Sequence, residues 1–147
     1  MVQFVRQHLR PPLAAALESR RPTVYEDGEQ SRDFTYVDNV VDANLSACTA
    51  EQVEGLVFNV GTGERHSLNE LLRNLSEIVG NDLSPDYTNR RAGDLLHSLA
   101  NIERARQLLG YQPRVRFAEG LRRTVTWFQD TRRLPGASAG PSIPRPL

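Results

Sequence analysis

The stretch T-V-Y-E-D-G-E-Q-S-R-D-F-T-Y-V-D-N, residues 23–39, decides how this chain is read. Thr23, Val24 and Tyr25 are β-branched and aromatic, which suits a short strand with an aromatic at its end. Asp27-Gly28 is a turn signal, because glycine takes positive φ without steric cost. From Asp33 to Val37 the β-branched and aromatic residues fit a pleated surface whose successive side chains point to opposite faces, which predicts a second strand. Arg32 stands at the mouth of that strand. A rigid element, not a loop, then holds its planar fork of donors toward a phosphate or carboxylate. Strand, turn, arginine and strand in sequence point to a binding site.

On the N-terminal side, Met1 to Leu9 has helical spacing, with Val2, Val5 and Leu9 apolar and Arg6 and Arg10 polar. Pro11-Pro12 interrupts it, since proline lacks a backbone donor and clashes with the preceding turn. Leu13 to Ser19 restarts as a short Ala-rich helix with Pro12 near its first turn. On the C-terminal side, Asp38 is placed to cap a helix running to about Thr49, with Val41, Leu45 and Cys48 on one stripe and Asp42 and Asn44 off it. Leu56 to Val60 reads as a short buried strand ending at Gly61-Thr62-Gly63. That G-T-G invites a phosphate-loop reading, because helix N-termini bind anions. Both the six-residue dinucleotide fingerprint and the Gly-Lys-Ser/Thr of a P-loop are missing, so a plain strand-to-helix turn is the better reading.

Ser67 with Glu70 forms a capping box that opens a helix from Leu68 to Val79, with Leu68, Leu71, Leu72, Leu75 and Ile78 inward and Gly80-Asn81 at its end. Asp86 to Thr88 predicts a short strand, followed by a polar turn over residues 89–94. Asn101 caps a helix to Leu109, stopped by Gly110, and Phe117 to Arg132 is the last helix, with Leu121, Val125 and Phe128 as its stripe. Beyond Leu134, Pro, Gly, Ser and Ala dominate and predict a disordered tail. The expected organisation is an N-terminal helical segment over 1–12, one α/β domain of short strands and helices over 13–133, and a tail over 134–147.

A chain of 147 residues with 39% hydrophobic content suits one domain with a small core. Acids and bases balance at 18 each, which removes the positive field that non-specific nucleic-acid or membrane-surface binding needs. All 18 basic residues are arginine, and the chain contains no lysine. The single cysteine, Cys48, allows no disulfide framework and reads as a small buried hydrophobe in a reducing compartment. No apolar run approaches the roughly 18 residues of a membrane span, and the N-terminus lacks a signal-peptide layout, so a cytoplasmic location is expected. His8, His66 and His97 lie apart without ligand spacing, and no metal is assigned.

The central stretch resembles the C-terminal half of extended short-chain dehydrogenase/reductase enzymes acting on nucleotide sugars, most closely the UDP-hexose 4-epimerase branch. There a G-D-G-x-Q-x-R-D-F-x-Y-V-x-D run is typical. The resemblance continues through F-N-V-G-T-G (residues 58–63) and R-A-G-D (residues 91–94) to a closing helix pair, over about Leu13 to Phe128. The first ten residues fit it poorly. It implies that Arg32 and Arg91 reach the diphosphate of a UDP-hexose and that Asp94 reaches a ribose hydroxyl. It further implies that Thr23 and Val24 lend backbone groups to the base and that Tyr25 stacks on uracil, at about 1–3 kcal/mol per base by analogy with single strands. One departure is Glu26, which replaces the Gly usual in G-D-G.

The complete family enzymes bind NAD through a glycine-rich turn near their N-terminus and carry out proton and hydride transfer with a Ser, a Tyr-x-x-x-Lys pair and the nicotinamide. The Lys lowers the Tyr pKa by its positive charge. A chain without lysine cannot contain that pair, and no glycine-rich βαβ start is present. The expectation is therefore the nucleotide-sugar-binding half of an NAD-dependent epimerase-type enzyme, with no catalytic residue and no cofactor bound by this chain alone. Its expected partners are a nucleotide sugar and either a Rossmann-domain partner chain or a second copy. Without the larger sheet, Phe34 to Val37 and Leu56 to Val60 would present unpaired edges. Three alternatives stay open: a non-catalytic binding or interaction module of that family, a dTDP-sugar 4,6-dehydratase fragment, and an arginine-driven nucleic-acid binder.

Overall fold

A computed structural model describes residues 10–18, 20–89 and 95–133. In chain order the described elements are α1 (Arg10–Leu17), β1 (Thr23–Tyr25), β2 (Ser31–Arg32), α2 (Val37–Thr49), β3 (His66–Ser67), α3 (Leu68–Val79), β4 (Asp86–Thr88), α4 (Glu103–Leu109) and α5 (Phe117–Arg133). The fold is mixed α/β, as the pattern of short strands and amphipathic helices predicts. The segments over 1–9 and 134–147, including the expected first helical segment and tail, lie outside the described residues.

Local signals become structure most directly in α3. Ser67 accepts a hydrogen bond from the Glu70 N–H at 3.1 Å, and Gly80 closes the helix in the left-handed region at φ 72°. Leu68, Leu71, Leu72 and Leu75 are buried along one stripe against Leu13 and Ala16 of α1, Val24 of β1, Leu83, and Phe117, Leu121 and Val125 of α5. Each fully buried leucine contributes about 1.5–3 kcal/mol of hydrophobic stabilisation, so this stripe organises the larger of two cores. α1 begins three residues earlier than the Ala-rich run suggests, with Pro11 and Pro12 accommodated in its first turn.

β1 and β4 pair in parallel with Val24 opposite Tyr87. Arg21 reinforces the pair from outside, donating from Nε to the Ser84 carbonyl at 3.1 Å and pairing with Asp86 at 2.8 Å. β2 and β3 pair antiparallel, with Arg32 opposite His66, and Ser31 also bridges His97. A second, smaller core gathers Ala43 of α2, Ile102 and Ala105 of α4, and Tyr111, with Phe58 and Val60 packed against it. Asn39, fully buried on α2, latches the chain before α5: it accepts the Arg114 and Val115 N–H groups at 2.9 and 3.0 Å and donates to the Val115 carbonyl at 2.8 Å.

Four expectations are corrected. The second strand is confined to Ser31–Arg32, and residues 33–36 belong to no ladder, because the Asp33 side chain is held by the 62–63 turn and no neighbouring strand reaches it among the described residues. Asp38 does not cap α2: the N-cap is Tyr36 without a side-chain bond, and Asp38 sits in the first turn, where its charge suits the helix dipole and pairs with Arg123 at 3.2 Å. Residues 56–60 form no strand ladder among the described residues, with Leu56 and Val57 exposed instead of buried. Finally, Cys48 is exposed, as are Val41 and Leu45, because α2 packs inward through Asn39 and Ala43 on its opposite side.

Glu26 adopts φ 60°, so the left-handed conformation for which glycine is suited is kept by a residue with a Cβ. We predict that Glu26→Gly stabilises the chain by about 1 kcal/mol in urea unfolding; a loss of stability would show that the left-handed turn is not strained. We also predict that Asn39→Ala destabilises by about 3 kcal/mol, because the buried Val115 N–H and the half-buried Arg114 N–H lose their acceptor and the Val115 carbonyl its donor. A cost below about 0.5 kcal/mol, the scale of ordinary surface substitutions, would show that the latch contributes nothing.

Candidate functional site

Arg32 ends β2 and is only 3% exposed. Its Nη1 donates to the carbonyls of Ser31 at 2.8 Å and Leu96 at 3.1 Å, so the guanidinium is positioned by a segment 64 residues away in sequence. Buried cations need such acceptors, because desolvation otherwise disfavours the charge. Arg32 opens onto a cleft of about 420 Å³. Phe34, Phe117, Leu121 and Leu99 give the cleft an apolar floor, and Thr35, Asn59, Ser98, Asn101 and Thr124 supply amides and hydroxyls around it. This mix of apolar surface with a few polar groups is the ordinary chemistry of a small-molecule site.

The neighbouring Asp33 is anchored elsewhere. Its Oδ1 accepts from the Thr62 N–H at 2.8 Å and the Thr62 hydroxyl at 2.6 Å, and its Oδ2 accepts from the Gly63 N–H at 3.0 Å. The G-T-G turn therefore does bind an anion, and that anion is the chain's own carboxylate. Gly61 cannot carry a side chain here, since a Cβ would lie 2.5 Å from Asp33 Oδ2 and 2.7 Å from the Ala100 Cβ. The Tyr111 hydroxyl donates to the Gly61 carbonyl at 2.7 Å and fastens the same turn from below.

His66 was not singled out as a site residue by its sequence context, yet it lies in the strand beside Arg32. Its ring stacks on Phe117 at 4.1 Å between centroids, and Nδ1 is 2.7 Å from Glu70 Oε1. The Glu70 side chain is thus on the histidine, and its backbone N–H serves the Ser67 cap. The only local signal was the spacing of four residues from His66 to Glu70, which resembles any solvated helix pair.

The other expected site residues divide. Tyr25 is 39% exposed at the end of β1 and its carbonyl accepts from Gln30 Nε2 at 2.8 Å. Thr23 is exposed, while Val24 is buried in the larger core, so only its backbone can face a ligand. None of these three lines the cleft that Arg32 lines. Arg91 and Asp94 lie outside the described residues. Several other arginines are engaged with carboxylates: Arg20 with Glu18, Arg114 with Asp42, Arg116 with Glu64, and Arg122 and Arg123 with Glu119. Among the described residues, charges so paired offer less open positive surface than a nucleic-acid binder presents. Among the described residues no helix is long and apolar enough to cross a membrane.

Residues 1–124 match the family model described as GDP-mannose 4,6 dehydratase. The chain is 40% identical over 116 residues to UDP-glucose 4-epimerase of Mycolicibacterium smegmatis, covering 79% of this chain and 37% of that protein. It is 30% identical over 114 residues to UDP-glucuronate 4-epimerase of Thermodesulfobacterium geofontis, covering 77% and 35%. In structure it is similar to UDP-glucose 4-epimerase of Thermotoga maritima, solved with UDP-glucose, with a TM-score of 0.77 at 38% identity over 83% of this chain and 39% of that one. It is also similar to UDP-glucuronic acid 4-epimerase of Bacillus cereus, solved with UDP-glucuronic acid and NAD, with a TM-score of 0.79 at 26% identity over 86% and 40%. The chain belongs to the NAD-dependent nucleotide-sugar epimerase/dehydratase family. It spans 37% and 35% of the length of the two curated relatives.

Burial, then the Asp33 and Asp42 carboxylates, push the Tyr111 phenol above its ordinary 10.0, with Arg106 pulling weakly the other way. Such a phenol ionises less readily in the native chain than in the unfolded one. The stability this contributes is intact below the unfolded value near 10 and is lost as pH rises through the folded value. Comparing urea midpoints across that range should show a steeper alkaline loss for the wild type than for Tyr111→Phe. Parallel curves would exclude Tyr111 as the source.

Proposed function

We propose that this chain is the nucleotide-sugar-binding part of an NAD-dependent 4-epimerase-type enzyme and that its ligand is a UDP-hexose. The observation that carries the reading is Arg32: a buried guanidinium, held in place by two carbonyls at the edge of a cleft, in a chain whose relatives were solved with UDP-sugars. In this reading Arg32 and Arg91 hold the diphosphate, where charge-assisted bidentate bonds are strong, and Asp94 takes a ribose hydroxyl. Tyr25, exposed at a strand end, offers its ring to uracil beside the backbone of Thr23 and Val24. The exposure of Tyr25 supports this role, because a core tyrosine could not stack on a ligand.

The chemistry belongs to residues this chain does not carry. Proton abstraction in the family relies on a tyrosine activated by a lysine, and there is no lysine among the 147 residues. NAD supplies hydride transfer in the complete enzyme, and this chain contributes the substrate's grip. Its location is proposed to be cytoplasmic.

Calorimetry on the purified chain tests this. UDP-glucose should bind weakly but saturably, and Tyr25→Ala, at an exposed position, should lower the affinity about tenfold, equivalent to about 1.4 kcal/mol. Arg32→Ala should abolish measurable binding where circular dichroism shows it still folded. Unchanged affinity in either folded variant would remove that residue from the site. The chain alone should show neither epimerase turnover nor saturable NAD binding; a micromolar NAD dissociation constant would overturn the division of labour.

A further inference from the structure

Three elements hold the His66 ring. From α3, Glu70 Oε1 lies 2.7 Å from Nδ1. From α5, Phe117 stacks on the ring at 4.1 Å between centroids and 12° between planes. From β2, Arg32 is the ladder partner of His66, and directly opposite residues of an antiparallel pair share a face. A carboxylate only accepts, so Nδ1 carries the proton, and in the neutral ring Nε2 is a bare acceptor. Nε2 is buried and meets no hydrogen-bond partner among the described residues. Glu64 Oε2 lies 3.9 Å from it, too far for a hydrogen bond but within reach of an ion pair once Nε2 bears a proton.

Buried polar atoms ordinarily have partners, so an orphaned one calls for an explanation. Glu64 supplies it. Its other oxygen, Oε1, is paired with Nη1 of Arg116, and Arg116 lines the cleft together with Arg32 and Phe117. With His66 protonated, Glu70, His66, Glu64 and Arg116 form one row of alternating charge from the first turn of α3 to the cleft wall. With the ring neutral, the row is broken at Nε2. Histidine is the side chain whose ordinary titration falls between about pH 5 and 8, where glutamate is ordinarily ionised.

We propose that His66 is a proton-sensitive positioning residue of the cleft. Protonation closes the gap between Nε2 and Glu64, fixes Arg116 through Glu64, and adds a positive charge beside Arg32. An anionic ligand in the cleft then binds more tightly as pH falls. The charged groups around the ring are Glu70 on α3, Glu64 before β3, Arg116 before α5 and Arg32 on β2. Asp33, beside Arg32, is committed to Thr62 and Gly63 and does not compete. A cation stacked on the Phe117 face is also attracted by the ring's quadrupole. By reciprocity, a diphosphate on Arg32 favours the charged imidazole by the same factor as the imidazole favours the diphosphate. That last step rests on the proposed reading of the chain as a nucleotide-sugar binder.

Two measurements test it. In the chain without ligand, NMR follows the His66 ring protons and the Arg116 side-chain N–H signal from about pH 8 to about pH 5.5, the histidine range. Each signal is assigned by its loss in His66→Gln or Arg116→Lys. The Arg116 signal should follow the His66 titration in the wild type and become blind to it in Glu64→Gln. An Arg116 signal that ignores His66 in the wild type overturns the proposal. With ligand, calorimetry over the same range uses UDP-glucose, whose diphosphate keeps its charge throughout. Affinity should rise about fivefold toward the acid end, the scale of one added charge near a protein surface. The rise should vanish in His66→Gln and in Glu64→Gln, the latter at an exposed position, and should persist in His97→Gln. A flat wild-type profile, or a rise that survives both Glu64→Gln and His66→Gln, overturns the proposal. So does a rise lost only in His97→Gln, which would assign it to the Ser31–His97 hydrogen bond. If UDP-glucose binds at no pH, the nucleotide-sugar reading fails and the NMR titration alone decides whether His66 sets Arg116.

Discussion

The Asp33 carboxylate is the junction on which the arrangement depends. It takes three donors from Thr62 and Gly63 and so binds the extended run after β2 to the turn that leads into β3. Hydrogen bonds to a charged acceptor contribute about 1.5–3 kcal/mol each, more than ordinary neutral ones. With this tie in place, Arg32 is fixed on one side of Asp33 and the start of α2 on the other. The cleft lined by Arg32, Asp33 and Tyr36 is therefore bounded by a segment that this carboxylate ties to the 62–63 turn, with Gly61 leaving room for the tie.

Where the determinants are local, the sequence was legible. Ser67, Glu70 and Gly80 state both ends of α3, and its leucine spacing states which side is buried, because each signal acts within four residues of its effect. Gly110 does the same for the end of α4, whose N-cap is Ile102 while Asn101, one residue earlier, accepts the Glu103 N–H at 3.0 Å. α2 defeated the same logic. Its apolar stripe is real, but periodicity reports that a face is apolar and not what covers it. The buried side is instead specified by Asn39, whose acceptors and donors lie 75 and 76 residues away. Residues 56–60 failed for the same reason, since a strand is defined by its neighbour and an apolar run can only predict that one is wanted.

The site was half legible. A cation at a strand mouth could be read from β2 and its flanking residues, but the carbonyl of Leu96 that holds it could not. The reversal at Glu26 is more instructive. The backbone there is left-handed although the residue is not glycine, and the Glu26 N–H donates to the Thr88 carbonyl at 2.7 Å. The conformation is thus imposed by the β1–β4 pairing and the turn that follows, and the side chain bears the strain. A substitution at a motif position alters the cost of the geometry without changing the geometry itself.

The division between grip and chemistry has a physical consequence for solubility and assembly. In the proposed reading a pocket for a diphosphate needs buried, oriented donors, and the Arg32 guanidinium is oriented within this chain by the Ser31 and Leu96 carbonyls. Hydride and proton transfer need a dry site walled on all sides, whereas Asn59 and Val60, which line the cleft, form no strand ladder among the described residues. Extended backbone outside a ladder is an aggregation hazard when bare. The exposed stripe of α2 adds apolar surface of the same kind.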